Sequence, residues 1–171
     1  MSSTNRGAKR EINDKYITPN YTVDSLRSVV DLKLMECLTF CEPCRATGAI
    51  YYRFPAHVKH HAELNEGFDY LTTPFDDIDV IITNPPFSLA LPFLQKSLSE
   101  ASTVIYLLRL NFLGSELRRP FCQTESNRPS HVLALSKRPK FTSQGSDSCE
   151  YGWFCWDRLG IVNLVPGVHV L

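Results

Sequence analysis

Asp79-Val80-Ile81-Ile82-Thr83-Asn84-Pro85-Pro86-Phe87 joins a run of β-branched aliphatics to an abrupt, stiff turn. Val80, Ile81 and Ile82 build a buried strand, and Asn-Pro-Pro-Phe stops it at once. In open α/β sheets ligands bind beyond the carboxyl ends of strands, so a loop in this position is where chemistry is expected. Two prolines fix φ and remove two backbone donors, which leaves carbonyl acceptors and the Asn84 amide in a set geometry, with Phe87 as a flat face. The arrangement suits a planar substrate that carries an amino group. Asn84 Oδ1 and the Pro85 carbonyl can accept its two N–H bonds while Phe87 stacks on the ring. Accepting both hydrogens localises the nitrogen lone pair for attack on an electrophilic carbon, and no separate general base is required.

Outward from this strand, short apolar runs alternate with helical patterns. Strands are predicted at 37–41, 60–64, 79–83, 103–108, 131–135 and 150–156, and helical stretches at 89–99 and 114–121. Thr22 is placed as an N-cap, with Val23, Leu26, Val30 and Leu34 following at helical spacing. A second, short helix is expected after the Glu42–Gly48 loop. Such alternation implies parallel strands with crossover helices. Between 131–135 and 150–156 only a loop containing Gly145 intervenes, so these two are predicted as a C-terminal antiparallel hairpin on a mostly parallel sheet.

The chain has 171 residues, 43% hydrophobic and 21% charged, with 18 basic residues balancing 18 acidic ones. That composition fits one globular domain and excludes collagen-like, coiled-coil and disordered classes. Residues 1–15 form a polar leader without a hydrophobic signal core, and 16–171 read as a single domain. No apolar run approaches the roughly 18 residues that span a bilayer, so a cytoplasmic protein with no membrane partner is expected. Cys41 and Cys44 form a C-x-x-C with no second Cys or His pair at finger spacing; the six cysteines are read as structural thiols, and no metal is expected.

Charge is uneven along the chain. From Glu63 to Asp79 there are six acids and no Lys or Arg, whereas from Arg109 to Lys140 seven bases face two acids. The second segment is suited to phosphates.

The chain resembles the amino-methyltransferases that use S-adenosylmethionine, in particular the phage-type DNA N6-adenine methyltransferases. Asn84-Pro85-Pro86-Phe87 matches their catalytic motif, and Phe40-Cys41-Glu42-Pro43-Cys44-Arg45-Ala46-Thr47-Gly48 matches the cofactor loop after the first strand. Tyr16-Ile17-Thr18-Pro19 is similar to the N-terminal cofactor segment, and 62–70 to the acidic motifs. Lys137-Arg138-Pro139-Lys140-Phe141 with Tyr151-Gly152-Trp153-Phe154 is similar to the late hairpin. The resemblance runs from about Tyr16 to Asp157 and implies a Rossmann-like methyltransferase α/β sandwich.

It also implies roles. Tyr16, Thr18, Glu42, Cys44, Ala46, Gly48, Glu63, Asp69, Tyr70 and Asn84 would hold S-adenosylmethionine, Glu63 through the ribose hydroxyls, Asp69 through the adenine amine and Tyr70 against the adenine ring. Arg109, Asn111, Arg118, Arg119, Lys137, Arg138 and Lys140 would hold phosphates around a flipped nucleotide, with Phe141 or Trp153 lining its pocket. The chain departs from the family at Ala46, where a glycine is usual, and a positive φ there would strain the loop.

The function implied is methyl transfer to the adenine N6 amine of DNA, in the host cytoplasm if phage-encoded. The same loop also serves enzymes that methylate guanine amines in RNA or a glutamine amide in protein, and a non-catalytic nucleic-acid-binding relative is a further alternative. Without a separate target-recognition domain, a short or relaxed site is expected, and a longer one would call for a homodimer.

Overall fold

Residues 17–141 and 148–171 are described by a computed structural model, so the leader, Tyr16 and Gly145 lie outside the described residues. Seven strands, β1 (Thr39–Glu42), β2 (Val58–His61), β3 (Ile78–Thr83), β4 (Ala101–Arg109), β5 (His131–Ala134), β6 (Tyr151–Asp157) and β7 (Gly167–Val170), form one sheet in the order β2-β1-β3-β4-β6-β5-β7. Strands β1 to β4 pair in parallel. Strand β6 inserts between β4 and β5 and opposes both, and β7 lies parallel to β5. The mostly parallel α/β sheet with a late antiparallel pair is therefore the observed architecture.

The apolar runs are continuous because both faces of the sheet are covered. Phe40, Val80, Ile82, Ile105 and Leu107 point to one core with Val23, Leu26 and Trp153, while Cys41, Ile81, Val104, Tyr106 and Leu108 point to the other with Phe93 and Leu94. Alternate residues of one strand thus serve opposite layers. Helix α3 (Ala90–Glu100) returns the chain from β3 to β4. On its face Tyr70, Ser97 and Tyr106 share buried hydroxyl hydrogen bonds of 2.8 and 2.5 Å.

Several elements differ from the sequence pattern, each for a local reason. The helix expected to run through Val30 and Leu34 is split. Helix α1 (Asn20–Arg27) ends so that Val30 can bridge to Val162, and the Asp31 carboxylate caps α2 (Leu32–Met35) by accepting the Lys33 and Leu34 N–H groups at 3.0 Å. The first strand starts at Thr39 instead of Cys37 because the Cys37 and Leu38 N–H groups still close the turn of α2. The second strand occupies 58–61, not 60–64, since Leu64–Glu66 form a 3-10 turn. No helix follows Gly48; 49–54 are successive turns. In 114–121 a 3-10 turn (Glu116–Arg118) precedes the short α4 (Arg119–Gln123). Strand β7 is not among the predicted strands; Val168 and Val170 are 76% and 73% exposed, so it has no buried apolar face of its own and is placed by pairing with β5. Among the described residues no helix is long and apolar enough to cross a membrane.

Candidate active site

The chain turns left from β1 to β2 and right from β3 to β4 in the sheet order, so the crevice between the carboxyl ends of β1 and β3 is a topological switch point. Two loops meet there. One runs from Glu42, the last residue of β1, to Gly48; the other is Asn84-Pro85-Pro86-Phe87, leaving β3 and turning through the 3-10 segment Phe87–Leu89 into α3.

Glu42 is 2% exposed. One of its oxygens accepts the Tyr51 backbone N–H, while Oε2 is buried with no hydrogen-bond partner among the described residues. Burial holds its carboxyl well above the usual range; the Tyr51 bond and the Arg45 charge oppose that shift, and the nearby Glu63 carboxylate adds to it. The Cys41 thiol is pushed up to about 12 and the Cys44 thiol is raised as well, both by burial, so neither is a nucleophile at neutral pH.

Past Cys44 the loop reaches Ala46 at φ 47° and Gly48 at φ 80°. Both lie in the left-handed region, which glycine enters freely and alanine does not. A Cβ at Gly48 would sit 2.3 Å from the ring of the exposed Tyr52, which would have to shift, and the positive φ favours glycine there in any case. The Glu63 carboxylate accepts the Ala46 N–H at 2.7 Å and the Asn65 N–H at 3.4 Å. Glu63 therefore braces the Glu42–Gly48 loop and caps the turn after β2.

Arg45 pairs with Glu66 and donates to the Tyr52 hydroxyl at 3.3 Å, and Glu66 also meets His61 Nε2 at 3.1 Å. The His61 bond, with the Arg45 charge behind it, lowers the Glu66 carboxyl. Thr18 is buried, and Asp69 Oδ1 accepts the Leu71 N–H at 3.0 Å. Tyr70 requires a correction: it is 2% exposed, packs on Phe93 and Phe75, and its hydroxyl donates to Glu100 Oε2 at 2.9 Å. It is a core residue of the α3 face, turned away from the crevice. Beside Glu63 the exposed apolar side chains are Leu64 and Phe68, 61% and 52% exposed, which the sequence reading passed over.

On the other side of Asn84, aromatic rings gather around Phe87. The Tyr151 ring lies 5.6 Å from it and the Phe141 ring 6.2 Å, with Phe141 and Tyr151 5.2 Å apart. Tyr151 begins β6 at the edge where β4 ends, which is why Arg109 is its register partner. The Arg109 guanidinium lies over Phe87 at 5.1 Å and its Nε donates to the Tyr151 hydroxyl at 3.1 Å.

The other expected phosphate contacts divide. Lys137, Arg138 and Lys140 sit on one exposed loop that Tyr21 of α1 holds: the Tyr21 hydroxyl donates to the Arg138 carbonyl at 3.0 Å and accepts the Lys140 N–H at 2.9 Å. Lys137 lies 4.2 Å over the Tyr21 ring and Arg138 pairs with Glu150 at 2.6 Å. Asn111 and Arg119 are exposed, whereas Arg118 turns back onto its own loop, donating to the Phe112 carbonyl at 2.6 Å. Trp153 is also corrected, being fully buried with its Nε1–H on the Thr22 carbonyl at 3.1 Å, so Phe141 and not Trp153 meets Phe87.

No family model and no curated protein sequence matches the chain. Solved structures do. A Pyrococcus horikoshii protein solved as a "putative RNA methyltransferase" is similar over 90% of each chain, with a TM-score of 0.63 and 18% identity. A 23S rRNA methyltransferase is similar over 88% of this chain and 72% of its own, with a TM-score of 0.59 and 12% identity. A Vibrio vulnificus "modification subunit of a putative type I restriction enzyme" reaches a TM-score of 0.59 at 14% identity, over 91% of this chain and 47% of that one. At these identities the likeness is one of fold: the sheet has the Rossmann-like α/β architecture of these methyltransferase structures.

Proposed function

We propose that the protein transfers a methyl group from S-adenosylmethionine to the exocyclic N6 amine of adenine in DNA. The observation that carries the reading is the meeting of Asn84-Pro85-Pro86-Phe87 and the Glu42–Gly48 loop across one switch point.

The crevice fits the cofactor on two counts. Glu42 presents a buried oxygen with no partner among the described residues, suited to an ammonium group, and Gly48 turns the loop at φ 80° with bare backbone. Glu63 stands at the end of β2, where an acid can accept ribose hydroxyls, and Leu64 and Phe68 beside it offer apolar cover to a purine. When bound, S-adenosylmethionine supplies a methyl group on a positively charged sulfur.

Asn84 Oδ1 and the Pro85 carbonyl accept the two N–H bonds of the target amine and turn its lone pair toward the methyl. The prolines keep these acceptors in place without reorganisation during the reaction. Phe87 and Phe141, backed by the buried Tyr151, form the aromatic ground on which a flipped base is held. Lys137 and Lys140, on the loop that carries Phe141, supply positive charge for the flanking phosphates. That pairing of basic loop and aromatic wall favours DNA adenine. RNA adenine is the second reading, supported by the likeness over nine-tenths of both chains to the archaeal structure described as an RNA methyltransferase.

The deciding experiment incubates the protein with methyl-labelled cofactor and DNA, RNA or protein, digests the products and identifies the labelled species. Labelled N6-methyladenine from DNA is expected. Label confined to RNA or to a protein amide overturns the DNA assignment, and absence of binding heat with the cofactor overturns the methyltransferase reading.

A further inference from the structure

We infer that Arg109 is a positioning residue for the methyl acceptor, setting the plane of the Phe87 ring from the neighbouring strand instead of gripping phosphate. The inference rests on the methyltransferase reading above and assigns one residue of that site a distinct task.

The argument is geometric. Arg109 ends β4, the strand next to the one that delivers Asn84, and its guanidinium lies 5.1 Å over the Phe87 ring. The guanidinium holds its charge within cation–π distance of Phe87 while its Nε donates to Tyr151, a division between two rings that a compact ammonium group does not reproduce. Nε is held by the Tyr151 hydroxyl at 3.1 Å, and Tyr151, at 1% exposure, cannot swing away. The two residues are opposite each other in the β4–β6 ladder, so the support is built on paired strands. Phe87 lies three residues beyond Asn84 across two prolines, so a tilt of the ring displaces the stacked base relative to the Asn84 acceptor. A half-buried guanidinium between two aromatic side chains faces inward, unlike the exposed Lys137 and Lys140.

Arg109→Lys separates the two roles, because lysine keeps the charge that a phosphate contact uses and loses the planar fork and its Nε bond. The expected result is a fall in kcat of about tenfold or more, with KM for DNA and cofactor affinity within about twofold of wild type. Tyr151→Phe keeps the buried ring and removes only the hydroxyl, so it tests the same support if the lysine variant does not fold; a smaller fall in kcat is expected. Combined with Arg109→Lys it should add little further loss, since both act through one ring. Wild-type kcat in Arg109→Lys, or a weakened KM for DNA with kcat unchanged, overturns the inference. A wild-type protein that transfers no methyl counts instead against the methyltransferase reading, which the same assay reports separately.

Discussion

The Glu63 carboxylate accepts the Ala46 backbone N–H at 2.7 Å, tying the loop after β1 to the turn after β2. The acid proposed to receive the ribose hydroxyls therefore also shapes the loop proposed to cradle the methionyl end of the cofactor. One side chain couples both halves of the crevice.

Replacing it by alanine removes an acceptor from two N–H groups, those of Ala46 and Asn65. Glu63→Ala is expected to lower stability by about 1–2 kcal/mol, read as a drop in Tm, and to weaken cofactor binding more than it slows saturated turnover. The lost contacts are remote from the methyl, so ground and transition states suffer alike. A fall in kcat with unchanged cofactor affinity would contradict the role.

Ala46 itself sits at φ 47°, a conformation that costs an L-residue about 1–2 kcal/mol relative to glycine, part of which glycine's greater unfolded-state freedom returns. Ala46→Gly is therefore expected to stabilise the protein by about 0.5–1 kcal/mol, raising Tm by roughly 1–4 °C. Cofactor affinity should rise with it, because the loop no longer holds its shape against strain. An unchanged or lower Tm would show that the backbone relaxes at this position without cost.

Asn84→Ala removes one of the two acceptors proposed to act on the amine in the transition state. Such losses cost on the order of a hundredfold or more in rate, while cofactor affinity should stay close to wild type. Retention of more than half the activity would exclude Asn84 as the acceptor.

What could be read without coordinates was what is encoded locally. Val80-Ile81-Ile82 can only be a buried strand, the prolines of 85–86 can only end it, and β3 to β6 and α3 fall within two residues of their apolar runs. The failures are tertiary. Val30 continues a helical spacing but is taken by Val162, from the far end of the chain. Tyr70 beside an acid looks the same whether it faces a ligand or a core; Ser97 and Glu100 of α3 settle which. The Glu63–Ala46 brace and the Arg109–Phe87 contact are likewise invisible in spacing, since each joins residues that only the sheet order brings together.

Glu42 makes stability depend on pH in a direction opposite to that of an ordinary ion-paired carboxylate. Burial raises its folded-state pKa well above 4.5, so the folded protein holds a proton that the unfolded chain releases. Its contribution to stability is fully present below about pH 4.5 and is lost as pH rises toward the folded-state pKa, because unfolding then gains by letting the proton go. Glu42→Gln keeps the shape and a neutral amide in the same place and abolishes that loss. The variant is therefore expected to unfold at a higher denaturant concentration than wild type once pH rises above the ordinary carboxylate range, with a flatter stability profile there. Cofactor binding moves the other way: a carboxylate that meets the ammonium group must ionise, so wild type should release a proton on binding S-adenosylmethionine and Glu42→Gln should bind more weakly without that release. Calorimetry in buffers of different ionisation enthalpy measures the proton directly. Parallel stability profiles for the two proteins would show that Glu42 is already ionised in the folded state, and equal cofactor affinity in wild type and Glu42→Gln would show that its buried oxygen plays no part in holding the cofactor.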